Sequence, residues 1–288
     1  MGRKRTRAWK YVYFCFTGLI FLSLLNCNML RDIRLRNQAR EYLHRGDQLF
    51  CQSDYEGALT EYQKVMSMST RKAEEAKALF NLGLIYAHFA YPKKDYEKSL
   101  NLFIRILNDY PESPLVQEAR IWIGVLQEHE RLEKMIERSK QTEKVPNKVV
   151  SDKVIPDKVT KPAAKTEELG PAREHLLRGQ KLLARGDYEG ALKENQKVLS
   201  MSTHRPPEDE ALFNMGLIYA HLGNPGKDVG KSVDFFNKLI KDYPKSPLAE
   251  QAKIWVEMLK ENEALSLVIQ KLKQVDIEVE EKKRETAK

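Results

Sequence analysis

Through most of the chain, apolar residues return every three or four positions with polar ones between them. Leu79, Leu82 and Tyr86 make one such run, and Leu100, Phe103 and Leu107 make another. That spacing places them on one face of an α-helix. Pro111 and Pro244 each stand where a run stops, since proline cannot continue a helix. A Ser-Pro pair then opens a further run, with Leu115, Ala119, Trp122 and Leu126 along one face; serine caps a helix and proline suits its first turn. The pattern predicts an all-α protein built of helical hairpins.

The pattern is written twice. FNLGLIYAH begins at Phe80 and FNMGLIYAH at Phe213, 133 positions further on. At the same offset Gly46 meets Gly179, the stretch Asp54 to Leu59 meets Asp187 to Leu192, and Trp122 meets Trp255, with no gap needed from Ala39 to Leu126. Such self-similarity fixes the architecture as a duplicated module. A hairpin cannot bury its apolar face alone, so hairpins stack. Gly46, Gly83, Ala58 and Ala191 are small where helices approach closely or where an aromatic fills the neighbouring gap. The organisation predicted is a leader over 1–26, a tether over 27–36, modules over 37–140 and 171–260, a linker over 141–170 and a C-terminal helix over 261–288. Each module carries its own hairpins and closing helix, which predicts that the two fold separately.

Leu79, Leu82, Gly83 and Tyr86, followed by Tyr96, Ser99, Phe103 and Pro111, resemble the tetratricopeptide repeat, with four extra residues in the turn near Tyr91-Pro92-Lys93-Lys94. Tyr42, Gly46, Tyr55, Ala58 and Tyr62 resemble an upstream repeat, which departs from the pattern at Thr70, where proline is usual. Copy two repeats both. The phrase YP-x-SP before the closing helix is similar to outer-membrane tetratricopeptide lipoproteins of the BamD and CpoB type. The resemblance implies a concave groove formed by first helices that takes a protein or peptide. By position it assigns Lys77, Asn81, Leu84, His88, Asn214, Leu217 and His221 to that groove, with the two asparagines bonding an extended ligand backbone.

Charge changes the picture mainly at the front. Of a net +8, Arg3, Lys4, Arg5, Arg7 and Lys10 supply five, so +3 remains for the rest of the chain. The basicity therefore reads as a targeting signal, and no aromatic-rich basic motif supports nucleic-acid binding. No charge occurs from Tyr11 to Asn28, and Leu24-Leu25-Asn26-Cys27 resembles a bacterial lipobox, with Asn26 where a small residue is usual. The resemblance implies lipidation of Cys27 and, because Asn28 is not aspartate, sorting to the outer membrane with the chain facing the periplasm. The other reading is an uncleaved anchor over Trp9 to Leu25 in the inner membrane. Both tether the exported chain to a membrane of the bacterial envelope. Cys51 belongs to the folded part and reads as a small buried hydrophobe.

Between the modules, VPNKV, VSDKV and IPDKV are broken by proline and rich in lysine, which reads as an extended linker. Behind them, Leu265, Val268, Leu272, Val275 and Val279 are spaced three, four, three and four, a short heptad seam. That helix reads either as a cap on the second module or as a docking helix for a partner or a second copy. Its end, VDIEVEEKKR, resembles QseG-like lipoproteins, which implies contact with a histidine kinase sensor region as the alternative to an adaptor that gathers envelope proteins. No HExxH, CxxC, GxSxG or phosphate-binding loop is present, so no enzyme, metal or cofactor is expected.

Overall fold

The computed structural model describes residues 31–68, 72–142, 170–201 and 207–286, so Cys27, the apolar run before it and most of the linker lie outside the described residues. Among the described residues there are ten helices and no strand. In chain order they are α1 (31–51), α2 (Tyr55–Ser67), α3 (Lys72–Ala87), α4 (Tyr96–Asp109), α5 (Val116–Thr142), α6 (Pro171–Leu183), α7 (Tyr188–Ser200), α8 (Glu208–Ala220), α9 (Val229–Asp242) and α10 (Leu248–Thr286). The all-α expectation of helical hairpins holds, while Cys51 stands exposed rather than buried. By packing, the chain divides at 79/80 into two compact units. None of the described helices is long and apolar enough to cross a membrane.

Aspartates start the helices in both copies. Asp54 and Asp187 each accept the N–H three residues on, from Gly57 and Gly190 at 2.9 Å, and Asp95 and Asp228 do the same for Lys98 and Lys231 at 2.8 and 2.9 Å. A carboxylate there occupies a donor that the first helical turn leaves without a partner. The turn before α7 needs a left-handed residue, and Gly186 supplies it at φ 74°. In the first copy Ser53 takes the same place at φ 62°.

In the first unit, α1 and α2 close on each other where Gly46 lies under the ring of Tyr62. The Tyr62 hydroxyl reaches back along α1 and donates to Asp47 Oδ1 at 2.8 Å.

In the second unit, the glycine of FNLGLIYAH and its repeat each face a phenylalanine. A Cβ on Gly83 would stand 2.8 Å from Phe103 Cζ, and one on Gly216 2.6 Å from Phe236 Cε1. Beside each ring a serine locks the same turn: Ser99 donates to the Gly83 carbonyl at 2.8 Å and Ser232 to that of Gly216 at 2.7 Å. The sequence reading of these glycines as close-packing positions is therefore met.

Two tryptophans bring the closing helices of the two copies together. Trp122 of α5 and Trp255 of α10 are fully buried and stack on each other with centroids 3.8 Å apart. Phe103 stacks on Trp122 at 5.6 Å and Phe236 on Trp255 at 5.9 Å, so one aromatic column runs through both copies. Seven residues further along, His129 Nδ1 and Asn262 Oδ1 meet at 2.8 Å, and Asn262 also donates to the Val125 carbonyl at 3.1 Å. Trp122 pairs with Trp255 and His129 with Asn262, both at the 133-residue offset. Equivalent residues meet at two successive levels, so α5 and α10 run side by side in the same direction about a pseudo-twofold axis. Within residues 80–288 the two closing helices thus pack on each other. The C-terminal helix is no separate element, because α10 runs unbroken from Leu248 to Thr286.

Glu118, in the first turn of α5, has one carboxyl oxygen closed off from solvent with no hydrogen-bond partner. Burial pushes its carboxyl up to about 8. An acid raised in the folded state favours folding below its ordinary value and loses that contribution as pH rises through the folded value. Stability is therefore expected to fall between pH 5 and 8, by at most ~1.4 kcal/mol per pH unit. Glu118→Gln, which copies Gln251 of the second module, is expected to flatten that slope. Urea unfolding at pH 5, 7 and 9 checks it, and a slope that survives the substitution belongs to another group.

Candidate functional site

Four of the residues assigned to a groove from the sequence are buried: Asn81, Leu84, His88 and Leu217. Leu84 and Leu217 are core residues, 2% and 4% exposed, because α3 and α8 are packed round most of their circumference. Asn81 is buried as well. Asn214 is half-buried and donates to Asn195 Oδ1 at 3.3 Å, while Asn195 donates to the Ala191 carbonyl at 2.8 Å. This amide chain ties α8 to α7 and gives Asn214 a structural task.

His88 and His221 are also corrected. Each follows the last residue of its helix, and each Nδ1 accepts a backbone N–H two residues on, from Ala90 at 3.1 Å and Gly223 at 2.9 Å. That bond fixes the tautomer: Nδ1 is bare and Nε2 carries the hydrogen. In His88 the Nε2 hydrogen points to Glu250 Oε1 at 3.2 Å. The His88 hydrogen bond, with help from Lys253, holds the Glu250 carboxyl below its ordinary value. His88 is 1% exposed and fastens the end of α3 to the first turn of α10. Tyr188 meets His221 Nδ1 at 3.2 Å in the second copy. The histidines repeat because the turn repeats.

Lys77, another assigned residue, lines an open depression. That depression, of about 380 Å³, lies between α1 and the start of α3 and is lined by Arg40, Leu43, His44, Asp47, Ala73, Glu74 and Lys77. Leu43 forms a buried apolar floor. The walls carry both signs of charge, with Arg40 Nε 3.2 Å from Glu74 Oε1 and Lys77 Nζ 3.1 Å from Asp47 Oδ2. Arg40, Lys77 and Asp47 keep a large part of their side chains in solvent. These pairs are worth little to stability and can be exchanged for a ligand's charges. On α1, positions 40, 43, 44 and 47 fall at helical spacing, so the sequence carried the signal. It was missed because the groove was read from the repeat whose pattern is more complete.

In copy two the matching positions differ. Arg173 pairs with Glu210, the counterpart of Lys77, and Leu177 and Gln180 stand where His44 and Asp47 stand in the first copy. At those two positions the second copy therefore carries no titratable side chain.

Two stretches match a known repeat. Residues 77–113 and 210–246 each fit the family model of the tetratricopeptide repeat. The two matches begin and end 133 positions apart, the offset of the internal repeat, and each covers the end of a first helix and the whole second helix of a hairpin. No curated protein matches the chain. Tetratricopeptide repeats serve as protein-interaction scaffolds and are generally not catalytic, which supports protein partners for this chain in general terms. Among the described residues no group of three or more His, Cys, Asp or Glu is placed to hold a metal ion.

Proposed function

We propose that the chain is a membrane-tethered scaffold of the bacterial envelope that holds an extended segment of another envelope protein between α1 and α3. The observation that carries this reading is the open, charge-lined depression between α1 and the start of α3, the helix at which the first tetratricopeptide match begins. Arg40 and Asp47 on α1, and Lys77 and Glu74 on α3, offer an extended peptide donors and acceptors of both signs, with Leu43 for one apolar side chain. The basic front, the uncharged run and Cys27 supply the tether, through a lipid on that cysteine.

The test is photo-crosslinking in membranes followed by identification of the captured protein. A crosslinker at His44 is expected to capture one or a few envelope proteins. Reversing two wall charges, Arg40→Glu with Lys77→Glu, is expected to reduce that capture about tenfold while leaving the melting temperature within ~2 °C, since exposed pairs contribute ~0–1 kcal/mol each. Cys27→Ser is expected to move the protein out of the membrane fraction and to abolish fatty-acid labelling. Capture that ignores the charge reversal removes the depression as the site, and label that survives Cys27→Ser removes the lipid.

A further inference from the structure

The second half of α10 presents an apolar stripe to solvent. Val268, Val275 and Val279 are 42%, 56% and 44% exposed, and Leu265 and Leu272 beside them are half-buried. The helix face that meets α5 is a different one, about a quarter-turn round, marked by Trp255, Asn262 and the buried Ile269. The counterpart of Thr142, the last residue of α5, is Val275, so the final three turns of α10 continue past the end of that helix. A helix of this kind, without a packed neighbour among the described residues, has little reason to hold together from propensity alone.

The charges flanking the stripe say what covers it. With Leu265, Leu272 and Val279 at one core position of the heptad and Val268, Val275 and Lys282 at the other, the flanking positions are Lys271 and Glu278 on one side and Asp276 and Lys283 on the other. In a parallel pair of identical helices in register, each residue of the first flank faces the residue five further along the partner. Lys271 then faces Asp276 of the second copy, and Glu278 faces Lys283. Both contacts are of opposite sign, and each occurs twice. Within the chain, Lys271, Asp276 and Lys283 make no ion pair among the described residues, and Glu278 accepts only from Gln274, at 3.0 Å. We propose that α10 from Leu265 to Lys282 is a dimerisation helix, pairing in parallel and in register with the same segment of a second copy of this chain.

Sedimentation equilibrium of the full chain in a density-matched detergent tests the proposal. The chain is expected to show a monomer–dimer equilibrium that Val275→Lys abolishes. Lys271→Glu and Asp276→Lys, each alone, set like charges opposite one another twice per dimer and are expected to raise the dissociation constant roughly tenfold. Together they restore opposite charge at every contact, so the double variant is expected to recover the wild-type constant within about twofold. The rescue is specific to the parallel register. In an antiparallel pair Lys271 faces Glu278, so Lys271→Glu would leave two acids opposed whatever stands at position 276. All the positions changed are exposed, and circular dichroism checks that helix content is kept. A chain that stays monomeric at every concentration overturns the proposal and assigns the stripe to a different partner. A dimer indifferent to the single reversals, or a double variant as weak as either single one, overturns it too.

Discussion

Trp122→Ala is expected to cost residues 80–288 about 3–5 kcal/mol, the usual loss for emptying a large aromatic from a core. The indole is wholly buried between Phe103 and Trp255, so its removal opens a void in the middle of the aromatic column, and neither neighbour can close it without leaving the other. The loss reaches both copies, because Trp255 stacks on Phe236 in turn. Trp122→Phe is expected to cost far less. It keeps a ring in the stack and removes an Nε1–H that is buried without a hydrogen-bond partner, as Trp255 Nε1 also is. Because the two indoles touch, Trp122→Ala with Trp255→Ala should cost less than the two single changes added together. Urea unfolding of the four variants measures this. A single Trp122→Ala variant no less stable than the phenylalanine form would show that the column contributes nothing to holding the copies together.

Gly216→Leu is expected to be the next most damaging change. A Cβ alone would lie 2.6 Å from the Phe236 ring, and a leucine must push α8 away from α9 or force the ring from its rotamer. Overpacking of this kind costs ~1–3 kcal/mol. Here the shift also strains the hydrogen bond from Ser232 to the Gly216 carbonyl, which is buried and has no water to replace it. Gly83→Leu should behave alike against Phe103, slightly more mildly because its nearest approach is 2.8 Å. Shrinking the opposing ring should relieve the clash. Gly216→Leu with Phe236→Leu is expected to melt above Gly216→Leu alone, and a double variant that melts lower would place the strain elsewhere.

These glycines were legible because close approach is a local demand: one small residue, one ring, a fixed place in each repeat. The hairpins and their ends were legible for the same reason, through prolines and three-four spacing, whereas the aspartate caps emerged only with the structure. Leu84 and Leu217 were misread because their helix, FNLGLIYA, has almost no polar face; a helix apolar all round is buried all round, whatever its family uses that face for. His88 was misread because its partner, Glu250, lies far along the chain, and no short window can show that contact. Trp122 and Trp255 were recognised as repeats of one position. That they repeat in order to meet is a tertiary fact, visible only once both helices are side by side. Arg40, Leu43, His44 and Asp47 were legible in principle, since they share one face of α1 with charge at two of the four places.

The side-by-side arrangement of α5 and α10 has a consequence for how this protein responds to dilution and to mutation. In two separate identical chains, such a contact forms by collision and comes apart as concentration falls. Within one chain it forms at a fixed effective concentration and survives any dilution. In two identical chains every residue on the axis also meets its own kind, so a histidine there must face a histidine, and charging one charges both. Here His129 faces Asn262. One side offers an imidazole and the other an amide that bonds both to that ring and to the Val125 carbonyl. Joining the copies in a single polypeptide lets the two sides of the axis carry different chemistry.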